Sequence, residues 1–245
     1  MKEQRHKPLG SLKKGTAITC AALCFSAASV QAGENPDDPW EGFNRTMFGF
    51  NKFADTYVLK PVAKGYDWIT PEPVDRGISN VFDNLGETKN FVNDVLQAKF
   101  SDAGTDLARF VINSTIGVLG IFDVASGMGL ARNEEDFGQT LAAWGVGSGP
   151  YVVLPFLGPS TVRDGIGLVP DYYSEPQAYI DHDETRWTVY GVDAIDTRAD
   201  LLSAEELVQG DEYSFIRDVY LQRRAFLIND GAVEDEFVSD DLGEE

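Results

Sequence analysis

Between Asp38 and Leu59 the apolar residues Trp40, Phe43, Met47, Phe50, Ala54 and Tyr57 recur at spacings of three and four. At ~100° per residue they fall on one arc of a helix, while Glu41, Asn44, Arg45, Asn51, Lys52 and Asp55 fill another. Phe48 breaks the pattern as an aromatic on the polar arc. Asp38 is placed to cap this helix, Pro39 suits its first turn, and Glu41 stands near the positive end of its dipole. The helical period returns in Val74, Ile78, Val81, Phe82 and Leu85, then in Phe91, Val92, Val95, Leu96 and Phe100. It continues from Ser101 through Leu107, Phe110 and Val111, and two longer helices are predicted near 184–202 and 211–229.

Proline and glycine divide these patterns. Pro61, Pro71 and Pro73 punctuate a connecting stretch, and Pro170 and Pro176 are expected to bracket an aromatic loop with Tyr172 and Tyr173. Glu134-Glu135-Asp136 opens a short helix over Phe137, Leu141 and Trp144, and Ser160 is placed to cap another through Leu168. Only Tyr151 to Phe156, after the turn-rich loop Gly145–Pro150, reads as extended. The expected fold is all-α, one domain with at most a short extended hairpin near 151–156.

Two segments leave their environment open. The aromatic arc of the first helix suits a protein core and a bilayer interface alike. Residues 115–130 carry one charge, Asp123, and four glycines. At sixteen residues they fall short of the ~20 of a membrane span, and they fit either a buried segment or a short membrane-inserted hairpin.

The first 32 residues read as an export signal. Lys2, Arg5, Lys7, Lys13 and Lys14 precede a small, apolar run from Gly15 to Phe25, and Val30-Gln31-Ala32 supplies a cleavage site after Ala32. A lipid-attachment signal usually has Leu three positions before its cysteine. Cys24 follows Ala21-Ala22-Leu23 and Cys20 follows Ala17-Ile18-Thr19, so the mature chain is expected to start at Gly33 without a lipid anchor. Export then removes both cysteines and leaves His182 as the single histidine. The chain has 20 basic and 40 acidic side chains, a net charge of −20, which argues against nucleic acid as a partner. Residues 33–233 form the expected helical domain. The tail 234–245, with seven acids and no base, is expected to stay solvated and mobile.

The chemistry of enzymes is hard to build here. A Cys/His zinc site is out of reach of the mature chain, and Asp181-His182-Asp183 reads as a polar loop in preference to a weak metal site. No Gly-x-Ser-x-Gly elbow is present. The glycines at 145–149 lack both the dinucleotide fingerprint and the P-loop Gly-Lys-Ser/Thr. No catalytic residue, metal or cofactor is assigned.

The run Asp38-Pro39-Trp40-Glu41-Gly42-Phe43-Asn44-Arg45-Thr46-Met47-Phe48 resembles the opening signature of the MlaA family, also called VacJ. The likeness continues through Arg109-Phe110-Val111-Ile112-Asn113-Ser114-Thr115-Ile116-Gly117, Phe122-Asp123-Val124-Ala125 and Phe137-Gly138-Gln139-Thr140-Leu141. It extends over 145–156, Thr161-Val162-Arg163-Asp164 and Thr197-Arg198-Ala199-Asp200-Leu201-Leu202, covering roughly residues 38–228 in the family's order. The resemblance implies a ring-like helical protein in the inner leaflet of the bacterial outer membrane, associated with a trimeric porin. It implies an amphipathic channel that passes misplaced outer-leaflet phospholipid to a soluble periplasmic carrier, and no catalysis. On that basis Trp40, Phe43, Met47, Phe50, Ile116, Val118, Leu119 and Ile121 are expected to face lipid, and Asn44, Asn51 and Asp55 to line the headgroup route. The alternatives are a porin-associated periplasmic scaffold that moves no lipid and a lipid hydrolase using His182. The signal departs from the family, whose members are usually lipoproteins.

Overall fold

The computed structural model describes residues 36–208 and 210–232. The export signal read at 1–32 and the acidic tail 234–245 lie outside the described residues.

Helix α1, Glu41–Ala54, begins one turn later than Asp38. Asp38 does not cap it: the carboxylate is fully buried and takes hydrogen bonds from Asn44 Nδ2 at 2.7 Å and from the Tyr213 hydroxyl. Nor does α1 end in a connection at Pro61. A π-helical turn, Asp55–Leu59, leads directly into α2, Lys60–Ile69. Proline lacks an N–H and its ring crowds the carbonyl four residues back, so a widened turn just before Pro61 lets the rod continue. The rod stops at Thr70, which is extended (φ −95°, ψ 113°), as a residue before proline prefers.

Helix α3, Glu72–Leu96, unites the two patterns read around 74–85 and 91–100. At 25 residues it is roughly 37 Å long. It turns back into α4, Phe100–Thr115, its principal packing partner. The loop 116–123 and the short α5, Val124–Gly127, follow, with Asp123 accepting from the Ser126 N–H as an N-cap. Helix α6, Phe137–Ala143, is capped by Asp136 through the Gln139 N–H.

The extended segment is a hairpin. Strand β1, Tyr151–Leu154, pairs antiparallel with β2, Gly158–Thr161, in the register Tyr151↔Thr161 to Leu154↔Gly158. Thr161, and not Ser160, then caps α7, Val162–Ser174. Helix α7 runs through Pro170 and includes Tyr172 and Tyr173, so the expected aromatic loop is helical. The cost of Pro170 is one hydrogen bond to the preceding turn, and the helix ends within about a turn of it. Helices α8, Asp183–Asp200, and α9, Glu212–Ile228, complete the chain, matching the two predicted late helices. The fold is helical with one two-stranded hairpin.

The last helix returns to the first segment. Tyr213 and Arg217 of α9 reach Asp38, and Arg45 of α1 reaches Asp211 at 2.7 Å. Between them lies a small core of Tyr151, Val153 and Tyr213, with Met47, Phe48, Tyr220 and Leu221 packed against it. Phe48, out of place on the helical wheel, meets Tyr213 edge-on at 5.6 Å.

Elsewhere the packing is inverted. Asn84, Glu87, Asn90 and Asn93 of α3, spaced by threes, and Asp94 are buried, as are Asp106, Arg109 and Asn113 of α4. Glu87 meets Arg109, while Asn90 bonds Asn133 and Asn93 bonds Thr140 and Asp171. Phe100, Leu107 and Val111 of the same hairpin point outward. Arg109 is the centre of the seam, donating to Glu87 at 2.6 Å, to Ser126 at 3.0 Å and to the Leu130 carbonyl at 2.6 Å. Among the described residues no helix is long and apolar enough to cross a membrane.

Candidate functional site

Three cavities of about 860, 460 and 530 Å³, each open to the outside, adjoin one another. The first and second share Arg132, Glu134, Glu135, Arg223 and Leu227. The second and third share Lys89, Asp136, Tyr220 and Arg224. Their lining is mixed: the third is walled by Leu154, Leu157 and Leu168 as well as by Asp164, Asp171 and Glu175.

Sequence-local rules position this lining. Asp136 and Thr161 are caps, and Asp164 lies in the first turn of α7, where the helix dipole favours an anion. Arg224 of α9 donates to Asp136 at 3.1 Å and to Asp164 at 3.0 Å, and the Tyr220 hydroxyl adds a 2.9 Å bond to Asp164. Gly138 is required beside them, because a Cβ there would stand 2.4 Å from Asp164 Oδ1 and 2.8 Å from Arg224 Nη2. Burial works to raise the Asp136 and Asp164 carboxyls, but Arg224 overrides it and holds both below the ordinary carboxylate value. Asp171 and Glu175 lack so close a cation, and burial pushes both up. The cavities thus combine carboxylates fixed by Arg224 with carboxyls whose pKa burial raises.

The outer surface is apolar at the loop after α4. Ile116, Val118, Leu119 and Ile121 are all exposed, Leu119 at 74%. The backbone there is held by buried polar groups: Asn113 accepts from the Ala125 N–H at 2.9 Å and donates to Asp123 at 3.0 Å. Gly120 has φ +92°, and a Cβ on it would approach Asn84 Cβ to 2.8 Å. Val118 and Leu119 adopt left-handed φ values of 57° and 60°, a conformation a β-branched residue rarely takes. This strained turn turns the apolar side chains away from the protein.

The other expected lipid-facing residues divide. Phe50 is exposed and meets Phe156 edge-on at 5.0 Å. Trp40, Phe43 and Met47 are half-buried, Met47 against the small core. The three expected headgroup residues are not among those lining the three cavities. Asn44 is fully buried and clamps β1, donating to the Tyr151 carbonyl at 3.0 Å and accepting from the Val153 N–H at 2.9 Å. Asn51 makes the same clamp one step along, with the Leu154 carbonyl at 2.9 Å and the Phe156 N–H at 2.8 Å. Asp55, at the π turn, takes a two-pronged bond from Arg198 at 2.7 and 2.9 Å. A helical wheel grouped them on one polar arc but gave neither its direction nor its partners.

Sequence reading missed Lys89, Asp136, Asp171, Glu175, Tyr220 and Arg224 as cavity-lining residues. Arg223-Arg224, adjacent cations in so acidic a chain, were the available signal. His182 is exposed just before α8, and among the described residues no group of three or more His, Cys, Asp or Glu could hold a metal ion.

A model of the MlaA lipoprotein family matches residues 36–227. The chain is 37% identical over 235 residues to the intermembrane phospholipid transport system lipoprotein MlaA of Escherichia coli, covering 92% of this chain and 90% of that protein. To the protein of the same description from Haemophilus influenzae it is 36% identical, covering 93% and 94%. A solved structure from work on the structural basis for maintenance of bacterial outer membrane lipid asymmetry superposes with a TM-score of 0.68 and 39% identity, over 78% of this chain and 99% of that one. With most of its length matched in sequence and in fold, this chain belongs to the MlaA lipoprotein family.

Proposed function

We propose that this protein passes misplaced phospholipid from the outer leaflet of the outer membrane, through its polar lumen, to a soluble periplasmic carrier. In this reading it sits in the inner leaflet beside a trimeric porin, and it is not an enzyme. The observation that carries the reading is the inverted packing. Among the described residues, six hydrophobic side chains are buried against twenty-two polar or charged ones, while large apolar side chains cover much of the outside. A water-soluble protein gains its stability from the opposite arrangement. The names of its relatives support the same role.

Mechanistically, a headgroup moved through hydrocarbon without polar partners costs several kcal/mol or more. A half-polar lumen replaces the lost water, and the acyl chains keep an apolar wall. Phe50, Ile116, Val118, Leu119 and Ile121 form the lipid-facing surface, and Trp40, Phe43 and Met47 support it from the half-buried side of α1. Asn44, Asn51 and Asp55 shape the wall by tying α1 to the hairpin and to α8.

Deleting the gene is expected to expose phospholipid at the cell surface and to weaken the outer-membrane barrier. Intact lipid asymmetry in that strain would favour a scaffold that organises porins without moving lipid. Phospholipid cleavage that disappears in His182→Ala would instead support a hydrolase. The mature chain is proposed to begin at Gly33 without acyl groups. An intact mass beginning at Cys20 or Cys24 with an added diacylglycerol would place it with the lipoproteins of its family.

A further inference from the structure

Every arginine lining the second and third cavities is closed by a carboxylate: Arg224 by Asp136 and Asp164, Arg223 by Glu134, Arg132 by Asp83. Lys89 differs. It stands where the two cavities meet. Its Nζ lies 3.9 Å from Oε1 of Glu175, beyond hydrogen-bond reach. Among the described residues its ammonium donates no hydrogen bond and the Glu175 carboxylate accepts none. Both side chains are mostly covered, at 28% and 22% exposure, and the apolar wall of Leu154, Leu157 and Leu168 lies alongside.

A parted pair of opposite charges, within reach of water but held in a cavity, matches a ligand carrying both charges on a short link. Phosphate fits beside a lysine and a primary ammonium beside a carboxylate, each bond stronger for being charge-assisted. We propose that Lys89 and Glu175 are a headgroup station for phosphoethanolamine lipids, Lys89 holding the phosphate and Glu175 the ammonium. The surrounding charge favours the same ligand class. The two cavities are lined by four cations, Lys89, Arg132, Arg223 and Arg224, against six carboxyls. A net-anionic headgroup is repelled by that excess of carboxyls, whereas in a zwitterion the ammonium offsets the phosphate. This assignment rests on the transport reading and adds to it a selectivity.

The test is binding of full-length protein to mixed detergent micelles holding equal amounts of phosphatidylethanolamine and phosphatidylglycerol, with retained lipid counted by mass spectrometry. The unaltered protein is expected to retain phosphatidylethanolamine about tenfold over phosphatidylglycerol, the factor carried by one charge-assisted hydrogen bond of roughly 1.4 kcal/mol. Glu175→Gln should bring the ratio close to one, Glu175→Asp should keep most of it, and Lys89→Gln should lower retention of both lipids. Soluble phosphoethanolamine should displace the lipid where inorganic phosphate at the same concentration does not. Equal retention of the two lipids by the unaltered protein overturns the proposal without recourse to any variant. So does displacement by inorganic phosphate alone, which would mark a plain anion site. Failure to retain any phospholipid would instead count against the transport reading itself.

Discussion

Around Tyr151, Val153 and Tyr213 the protein packs aromatic and aliphatic side chains inside, as water-soluble proteins do, with one buried carboxylate, Asp38, served by Tyr213, Asn44 and Arg217. Along α3 and α4 it packs the other way, with asparagines, carboxylates and Arg109 inside and Phe100, Leu107 and Val111 outside. The two regions draw on different forces. In the first, removal of apolar area from water contributes roughly 25 cal/mol per Å². In the second that gain is absent, and cohesion comes from hydrogen bonds that strengthen where water is excluded. A chain that builds both has one part adapted to water and another to an apolar surrounding, as the proposed place in a bilayer leaflet demands.

The largest expected effect comes from removing the hub of the inverted seam. Arg109→Ala leaves Glu87 as an uncompensated buried charge, and should cost about 3–5 kcal/mol in denaturant unfolding of the detergent-solubilised protein. Replacing Arg109 and Glu87 together by methionine should restore most of that. A loss below about 1 kcal/mol in the single variant would break the contrast drawn here, since the seam would not depend on its ion pair.

Next in size is Leu119→Asp, on the strained outer turn. A carboxylate at that depth costs roughly 2.5–3.5 kcal/mol on insertion scales, so membrane fractionation should shift the protein out of the outer membrane while circular dichroism stays unchanged. A variant that fractionates like the unaltered protein would make this turn an ordinary surface loop.

Tyr213→Phe tests the water-adapted core. It keeps the ring contacts with Phe48 and Tyr151 and removes the hydroxyl that donates to buried Asp38. The expected cost is about 1–3 kcal/mol, smaller than that of Arg109→Ala because Asn44 and Arg217 still serve Asp38.

A further effect is one of pH, with no substitution needed to see it. Burial first, and a hydrogen bond from its protonated form to Asp94 second, push the Asp106 carboxyl in the seam up to about 9; as a carboxylate, neither oxygen would have a donor. The folded state therefore keeps a proton that the unfolded chain releases, and stability should fall as pH rises from about 4 to about 9. Asp106→Asn should flatten that slope in thermal unfolding. Asp123 has the opposite sign: against the effect of burial, bonds from Ser126, Asn113 and Arg109 hold it down to about 2. Its contribution is present at neutral pH and should be lost as pH falls below the ordinary carboxylate range.

Spacing alone determined much of this protein. The 3.6-residue period marked α1, α3 and α4, Asp136 marked the start of α6, and the apolar run at 151–156 marked the first strand. These features were legible because they depend on neighbours within a few positions. Breaks were less so. Pro61 and Pro170 sit inside continuous helical structure, one behind a π turn and one near a helix end, because tertiary packing offsets a single lost hydrogen bond. What only the tertiary structure decided was which arc of each helix faces inward. Periodicity separates the two faces without assigning either to the interior, and the assignment depends on whether the surroundings are water or hydrocarbon. The lumen was hidden for a related reason. Lys89, Glu175, Asp164 and Arg224 lie far apart in the chain and acquire their character only from the partners the fold brings to them. Asn44 and Asn51, which sequence reading assigned to the channel, spend their amides on strand β1 and the residues just beyond it, about a hundred positions away.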